Sequence, residues 1–271
     1  MSATTLALEP AQVERSFRHT ATIYLKEAKY EFLKYLRLRV YTASVLSFPL
    51  MFYILFGLVL NSKGAIHGMG VPTYMIATYG TFGVMGASLF GTAAGLASDR
   101  GLGWLQVKRA SPMPPFAYFA AKVASSLIFS TVIVLALFGL GIAFGGVRMP
   151  VLQFAQLLGT LVLGSLPFSA MGLALGYFIG PNSAPSTINL IYLPMSVCSG
   201  LWVPLMFLPK VFRQIALVLP PYHLSQLALG TVGAGWQESI AMHWEVLAGF
   251  TMVCLGVARI GFQRDQGKMY G

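Results

Sequence analysis

Charged side chains are scarce in this chain. Only 10% of its 271 residues are Asp, Glu, Lys or Arg, whereas 56% are hydrophobic. Soluble domains carry about 25% charged residues, so a soluble fold of this length would have too few charges to cover its surface. The composition therefore predicts an integral membrane protein.

Clusters of reactive or metal-binding side chains are also lacking. Cys198 and Cys254 both fall in apolar segments, where cysteine behaves as a small hydrophobe, and the four histidines have no ligand spacing. No catalytic residue, metal site or bound cofactor is expected. The chain also has no G-x-x-x-x-G-K-[ST] phosphate loop, so any ATP that drives it must bind another polypeptide.

Long apolar runs dominate what is present. A bilayer span needs roughly 20 mainly apolar residues, and six segments qualify or nearly qualify. They are about 41–60, 73–97, 122–144, 153–179, 187–206 and 243–261. No charged residue lies deep inside the first five, although ion-coupled carriers usually keep ionisable groups there. Energy for any transport should therefore come from elsewhere.

The distribution of positive charge predicts the orientation. With both ends of the chain on one side, that side collects fourteen of the 18 Lys and Arg residues. The opposite side has Lys63, Arg148, Lys210 and Arg213. Positive loops stay in the cytoplasm, so both termini and the connector 98–122 are expected to be cytoplasmic.

A basic helix is predicted ahead of the first span. Its apolar and aromatic residues recur at helical spacing, with lysine and arginine between them, which is typical of a helix in the headgroup layer. The alternative is a solvated basic helix that leads into the membrane. The apolar set is Leu25, Ala28, Phe32, Tyr35 and Leu36, and the basic set is Lys26, Lys29, Lys34 and Arg37.

Small residues follow one face of the second span. Gly83, Ala87, Gly91 and Gly95 recur every four residues. Such a stripe lets helix backbones approach closely in lipid. It predicts tight packing, and a surface that slides or opens is the alternative.

The connector 98–122 is basic, short and broken by proline and glycine. Asp99 could cap a short helix that ends before Ser111-Pro112 and Pro114-Pro115. This helix offers Leu102, Trp104, Leu105 and Val107 as contact surface, with Lys108 and Arg109 near its end. Two interpretations stay open: a helix that receives force from a cytoplasmic partner, and an interfacial loop anchored by Trp104.

This connector resembles the first cytoplasmic loop of ABC type-2 exporter permeases. The family's acidic-Arg-x-x-Gly run, short helix, proline and lysine are matched, with departures at Gly103 and at the Pro114-Pro115 pair. The resemblance implies a coupling helix that docks into an ATPase subunit. Its residues would be Asp99, Arg100, Leu102, Trp104, Leu105, Val107, Lys108 and Arg109, followed by Pro112 and Lys122.

A second stretch, residues 199–230, resembles the family's segment after the fifth span. There a small-Gly-Leu turn, a Leu-Pro pair and a Pro-x-x-His turn accompany short helices that dip back from the outer face. The resemblance implies a re-entrant gate that closes the pathway externally. The matching residues are Gly200, Pro204, Pro209, Pro220, Pro221, Tyr222 and His223.

The resemblance covers nearly the whole chain and implies an all-α, six-span integral membrane protein. Residues 1–40 would hold the interfacial helix, 41–261 a single transmembrane domain and 262–271 a cytoplasmic tail. The chain would be the permease subunit of an exporter in a prokaryotic inner membrane. Two copies, as a homodimer, would pair with two copies of a separate ATPase that binds ATP and Mg, with lipid around them. A different permease as the second membrane subunit is the alternative.

Aromatic residues of the first, second and fifth spans are candidates to line the pathway, although core or lipid-facing positions are the alternative for each. They are Phe48, Phe52, Phe56, Tyr79, Phe82, Tyr192 and Trp202. An apolar route favours a drug, a lipid or a lipid-linked glycan as cargo. The family's polysaccharide exporters tend to carry an Arg-Asp-rich stretch before the first span, which is not found here, so a drug-like or lipid-like cargo is favoured.

Two rival functions remain. A passive scramblase or channel would share the spans but would not need a coupling helix. A membrane-embedded enzyme acting on lipids would need paired acids or a histidine cluster near a membrane face. Glu238, His243 and Glu245 are the candidates on the outer side.

Overall fold

The computed structural model describes residues 17–60, 63–66, 68–111, 113–234 and 238–267. Pro112 and the side chain of Arg109, both assigned to the coupling segment, lie outside the described part. Helices account for nearly all of the described chain, which confirms the all-α class. One short antiparallel ribbon lies between the first and second predicted spans, with β1 (Ala65–Ile66) paired to β2 (Met69–Gly70).

Twelve α-helices are formed in the described residues, and two π-helical segments and one 3₁₀ turn lie between some of them. The π-helical segments are Tyr53–Val59 and Phe90–Ala94, and the 3₁₀ turn is Leu205–Phe207. The α-helices are α1 (Phe17–Arg37), α2 (Arg39–Phe52), α3 (Val71–Leu89), α4 (Gly95–Gly101), α5 (Trp104–Ala110), α6 (Pro115–Gly145), α7 (Val151–Leu163), α8 (Leu166–Phe178), α9 (Ala184–Cys198), α10 (Lys210–Ala216), α11 (Pro220–Thr231) and α12 (Ile240–Gly267).

Five helical stretches of the described chain are long and apolar enough to cross a membrane, one of them made of α7 and α8 with a turn between them. They are Arg39–Val59, Val71–Gly101, Phe116–Gly145, Val151–Phe178 and Ile240–Asp265. They correspond to the first four predicted spans and to the last one, which begins earlier than expected because Trp244 and Glu245 are accommodated within α12.

The predicted fifth span, 187–206, is built differently. Its helical part is α9, which has 15 residues with Pro194 inside it. A helix of that length rises only about 22 Å, less than the roughly 30 Å of a hydrocarbon core. The chain then turns at Gly200 and continues into the 3₁₀ segment and α10.

The second span forms the centre of the bundle. Every residue of α3 except Thr73 is buried. The glycine stripe explains how neighbours come so close: a Cβ on Gly83 would lie 2.6 Å from Ile133 Cγ2, and one on Gly91 would lie 3.1 Å from the Tyr41 hydroxyl. The prediction of tight packing along this stripe is therefore confirmed.

The helices alternate in direction, which gives the bundle two distinct ends. We call the end that holds α4, α5 and the start of α6 the coupling end. The opposite end, which we call the far end, holds α10, α11 and the start of α12. Contacts at both ends fix this arrangement, since Arg100 of α4 meets Asp265 of α12, and the far-end cavity joins Tyr74 of α3 to residues of α11.

The predicted basic helix forms as α1 and packs against α6. Its buried side differs from the predicted apolar set. Tyr35 is buried and Phe32 packs against the core, but Leu25 and Leu36 are exposed, and Glu31 is buried instead. The reason is electrostatic, because Glu31 meets a lysine of α6.

Candidate functional site

A glycine turn positions the short helix α5. The second span continues through α4 to Gly101, and the chain then breaks at Gly103, which has a φ of 74°. That left-handed conformation suits glycine, since other residues meet a Cβ penalty there. Gly103, a departure from the family pattern, is therefore the residue that turns the chain into α5.

Asp99 does not cap this helix, and that prediction was wrong. It lies within α4, before the turn, and is only 3% exposed. Its carboxylate accepts a bond from Lys34 Nζ at 2.6 Å and another from the Tyr118 hydroxyl at 2.8 Å. Lys122 Nζ lies 2.8 Å from the same carboxylate. Asp99 is drawn inward because the lysine of α6 is buried and needs a counter-charge.

Four residues form what we call the buried ion cluster: Glu31, Lys34, Asp99 and Lys122. Lys122 has no exposed surface, and its ammonium lies 2.7 Å from Glu31 Oε1. Lys34, whose side chain is 38% exposed, lies 3.7 Å from Glu31 and closes the ring of charges on its solvent side. Burying an unpaired charge costs several kcal/mol, so two acids facing two lysines keep the cluster neutral. The cluster joins α1, α4 and α6.

Tyr35 holds α1 against the second span directly beside this cluster. Its hydroxyl donates to the Gly91 carbonyl at 2.5 Å. Burial, and then the Glu31 carboxylate, raise the pKa of Tyr35 well above its usual value, so the phenol remains a neutral donor. Gly95 makes this approach possible, because a Cβ there would collide with the Tyr35 hydroxyl and lie 3.0 Å from Lys122 Nζ.

Two more ion pairs clamp the coupling end. Lys108 of α5 pairs with Glu27 of α1, and its ammonium lies 5.0 Å from the centre of the Tyr118 ring. Arg100 Nη2 lies 2.9 Å from Asp265 of α12, and its Nη1 donates to the Gly176 carbonyl of α8 at 2.9 Å. The segment around α5 is therefore fixed to three different parts of the bundle.

Three large apolar side chains are exposed on this segment. Leu102 is 71% exposed, Trp104 55% and Val107 60%. We call these three residues the α5 face. Leu105, by contrast, is 4% exposed and belongs to a small core with Tyr118. The prediction that Leu105 joins the contact surface is therefore corrected: it anchors α5 to the bundle.

The stretch 199–230 forms short helices, as the resemblance implied. Gly200 turns the chain with a φ of 73°, and Pro209 precedes α10. Pro220 and Pro221 open α11, where a missing N–H costs nothing. Pro204, Pro220, Pro221, Tyr222 and His223 are buried, whereas Pro209 is exposed.

Comparison with known proteins identifies the family. The model of the ABC-2 type transporter family matches residues 27–232, which is most of the chain. The chain belongs to this family. It is also 23% identical over 210 residues to the Bacillus subtilis (strain 168) protein named "Putative transport permease YvfS", covering 78% of this chain and 85% of the relative. It is therefore a permease subunit of an ABC transporter, and membership implies an ATPase partner and dimerisation.

In this permease the seven predicted aromatic residues form one cluster. Phe52 lies at its centre, with ring centroids 4.6 Å from Trp202 and 6.3 Å from Tyr79. Phe82 stacks on Tyr192 at 4.7 Å. The remaining members extend the cluster along the first span: Phe48 of α2 lies 6.2 Å and Phe56 of the following π-helical segment 6.1 Å from Phe52.

The aromatic cluster extends from the core of the bundle to its surface. Tyr79 and Phe82 have no exposed surface, whereas Phe48 is 52% exposed. The Tyr79 hydroxyl donates to the Trp202 carbonyl at 3.4 Å, and the Tyr192 hydroxyl donates to the Phe82 carbonyl at 3.0 Å. The aromatic rings therefore pack against one another in this conformation, and their edge at Phe48 is open to the surroundings of the chain.

Among the outer-side candidates for an enzyme, the structure brings Glu238 within 3.6 Å of His243 and leaves Glu245 exposed. Within the described residues, no group of three or more His, Cys, Asp or Glu is arranged to hold a metal ion. The family itself is one of transport permeases.

Several residues of the coupling end were not found from the sequence. Glu27, Glu31, Tyr118 and Asp265 were assigned no role, although the first three contact the cluster or α5 and Asp265 holds Arg100. A signal was available: the chain has only eight acidic residues, and two of them stand one helical turn apart within the basic helix α1.

Proposed function

We propose that this chain is the membrane subunit of an ABC exporter and moves a hydrophobic or amphipathic substrate out across the inner membrane of a prokaryote. The substrate would be a drug, a lipid or a lipid-linked glycan. Two copies, as a homodimer, would associate with two copies of a separate ATPase that binds ATP and Mg. Both termini would lie in the cytoplasm, on the side of the coupling end.

The α5 face carries this proposal. Trp104 and Val107 present apolar surface from the seven-residue helix α5, and Leu102 adds to it from the turn just before that helix. Large exposed side chains of this kind, when they are clustered and rimmed by charge, mark interaction sites. A membrane-anchoring role would not need the two ion pairs and the bond to the Gly176 carbonyl that hold this segment rigid, whereas a force-receiving role does.

The buried ion cluster would transmit a force applied to α5 to the rest of the bundle. A push on α5 reaches α1 directly through the Lys108–Glu27 pair. It reaches the second span through α4 and the third span through Lys122. Packed elements with paired buried charges move as units because separating the charges is costly. In this scheme ATP-driven closure of the ATPases displaces α1, α4 and α6 together.

The aromatic cluster supports the choice of cargo. Its seven members carry no ionised group, and its exposed edge at Phe48 lies on α2, a helix with a largely exposed apolar surface. Separating two such surfaces across a dimer would open a route lined by rings. Apolar and amphipathic molecules would fit that route better than ions.

Co-purification with an ATPase tests the proposal. The permease is expressed with candidate ABC ATPases of its source genome, and complex recovery is compared for wild type and a Leu102→Asp/Val107→Asp variant. Two charges on the α5 face should abolish association while the protein remains inserted and folded. Val211→Asp is the matched control, because Val211 is a 61% exposed valine in a seven-residue helix of the far end.

Recovery of an active complex with the Leu102→Asp/Val107→Asp variant would contradict the proposal. So would the absence of any ATPase from the wild-type preparation under conditions that preserve a control transporter. Transport direction is read separately from vesicles of known sidedness loaded with apolar dyes.

A further inference from the structure

A cavity of about 250 Å³ lies at the far end of the bundle, among the short helices of the stretch 199–230. Its walls come from the second span, the turn at Gly200, the 3₁₀ segment, α10, α11 and the loop before α12. Pockets that hold whole drug-sized molecules usually measure about 300–1,000 Å³. This cavity is therefore suited to one part of a larger molecule, such as a polar headgroup.

The cavity lies at the depth where the membrane begins. Tyr74, which lines it, stands in the first turn of the membrane-crossing stretch Val71–Gly101. Glu238, which also lines it, comes just before the stretch Ile240–Asp265. The far-end starts of these stretches mark the boundary between hydrocarbon and water. A ligand in the cavity would therefore sit at the level of the lipid headgroups.

Arg213 of α10 supplies a positive charge to the cavity. Its Nε donates to the Leu205 carbonyl and its Nη2 to the Met206 carbonyl, each at 3.3 Å. These contacts hold the guanidinium in place and use two of the five N–H groups that an arginine has. The guanidinium therefore keeps donors for a ligand, and its planar fork binds phosphate oxygens in pairs.

Glu238 supplies a negative charge to the same cavity. The Tyr222 hydroxyl lies 3.2 Å and 3.3 Å from its two carboxylate oxygens. His243 Nε2 lies 3.6 Å from Oε2, which is beyond hydrogen-bond distance, and the side chain of Glu238 is 25% exposed. A carboxylate can accept about four hydrogen bonds, so Glu238 keeps acceptor sites for an ammonium group.

The positive and the negative charge of the cavity do not pair with each other. Among the ion pairs of the described residues, none joins Arg213 to Glu238. A simple anion would be repelled by Glu238, and a simple cation would be repelled by Arg213. A ligand that carries both charges a few bonds apart would satisfy both residues. A phosphate linked to a primary amine has this form.

Exposed apolar side chains adjoin the cavity. Met206 and Leu217 line it, and each is about half exposed. The surface continues on and around α10, with Phe207, Val211, Ile215 and Val218 exposed. Apolar side chains at the boundary of a membrane are covered by acyl chains. The ligand that fits both the cavity and this surface is therefore an amphiphile.

We propose that the cavity binds the headgroup of a phospholipid that carries a phosphate and a primary amine, with the phosphate on Arg213 and the amine on Glu238. The acyl chains lie along the exposed surface of α10. This site goes beyond the proposed function, because it shares no residue with the α5 face or the aromatic cluster. It gives the permease a lipid ligand of its own, whichever cargo the permease moves.

Native mass spectrometry of the full chain tests the site. The permease is delipidated in detergent and titrated with phosphatidylethanolamine, phosphatidylcholine and phosphatidylglycerol of identical acyl chains. Phosphatidylethanolamine should bind most tightly, because phosphatidylcholine has no N–H donor for Glu238 and phosphatidylglycerol has no positive charge. Soluble phosphoethanolamine should bind far more weakly, because it lacks the chains that cover α10.

Charge variants separate the two halves of the headgroup. Arg213→Gln should weaken the binding of all three lipids about tenfold, the usual scale for a lost charge-assisted hydrogen bond. Glu238→Gln should remove the preference for phosphatidylethanolamine over phosphatidylcholine. Lys210→Gln in α10 and Glu245→Gln in α12 are the matched controls, because each removes the same kind of charge from an exposed position outside the cavity. Both controls should bind as the wild type does.

A variant that keeps the charges tests the cavity itself. Gln226 lines the cavity and is partly exposed, so Gln226→Trp should fill the cavity and block all three lipids. Thermal unfolding of each variant shows that the protein remains folded.

Equal binding of the three lipids by the wild type would overturn the proposal. So would a preference for phosphatidylethanolamine that survives Glu238→Gln, or wild-type binding by Gln226→Trp. Phosphoethanolamine that binds as tightly as the lipid would overturn the assignment to a lipid. The measurement needs neither ATPase nor transport, so it decides the lipid site even if the exporter proposal fails.

Discussion

The ammonium of Lys122 lies 2.7 Å from the carboxylate of Glu31, with both side chains almost completely buried. The two residues stand 91 positions apart in the chain. They join the helix that precedes the membrane domain to the third span, next to the segment that presents the α5 face. This contact holds α1 and α6 together at the coupling end.

Removing one charge from this pair should destabilise the protein. Lys122→Met leaves Glu31 and Asp99 facing Lys34 alone, and breaking a buried pair typically costs about 3–5 kcal/mol. Thermal unfolding in detergent should show a clear loss. The double variant Lys122→Met/Glu31→Gln restores neutrality with Lys34 facing Asp99, and should recover much of that loss. A double variant as unstable as the single one would contradict the charge balance described for the cluster.

Gly95 should tolerate no side chain. Gly95→Ala would drive a Cβ into the Tyr35 hydroxyl and displace α1, so both thermal stability and ATPase association should fall. Adding Tyr35→Phe removes the colliding oxygen and should recover part of the loss. The control is Gly139→Ala in α6, where a Cβ meets nothing within 4 Å. Helix propensity alone favours alanine by about 1 kcal/mol, so the control should be neutral or stabilised.

Arg100 and Asp265 should contribute unequally to the clamp between α4 and α12. Arg100→Gln loses the ion pair and the charged donor to the Gly176 carbonyl, whereas Asp265→Asn loses only the ionic part. Both side chains are partly exposed, so the effect on stability should be small for Asp265→Asn, at most about 1 kcal/mol. Arg100→Gln should lower the melting temperature more. The opposite order would show that the carbonyl contact is unimportant.

The aromatic cluster should govern cargo passage rather than assembly. Phe52→Ala removes the ring that contacts Phe48, Phe56, Tyr79 and Trp202. Efflux of apolar dyes should change several-fold while ATPase recovery stays as in the wild type. Phe144→Ala, a 74% exposed phenylalanine near the end of α6, serves as the matched control. Equal effects of both variants on efflux would argue against a pathway role for the cluster.

The long helices and the aromatic cluster could be predicted from the sequence. Apolar runs fix helices in a bilayer, and Phe48, Phe52 and Phe56 share one helix face at four-residue spacing. The buried ion cluster could not be predicted from the sequence, because its acids and lysines come from three distant segments. Pattern reasoning treats a charge in a basic helix as solvated. The spacing of Glu27 and Glu31 marks these two acids as unusual, but it does not show which distant lysines they meet.

The direction of α5 also could not be predicted from the sequence. Leu102, Trp104, Leu105 and Val107 are equally apolar, so composition alone assigns all four to one surface. The turn at Gly103 sets the angle at which α5 leaves α4, and that angle buries Leu105 while Trp104 and Val107 stay exposed. The length of α9 was missed for a related reason: hydropathy runs on past Cys198, although the helix ends there.

Site-specific photo-crosslinking tests the central claim, that the α5 face docks the ATPase, most directly. A photoreactive residue is placed at Val107, and the same residue is placed at Val211 as a far-end control. In a complex that turns over ATP, Val107 should crosslink to the ATPase and Val211 should not. A turning-over complex with no crosslink from Val107, or with an equal one from Val211, would contradict the account.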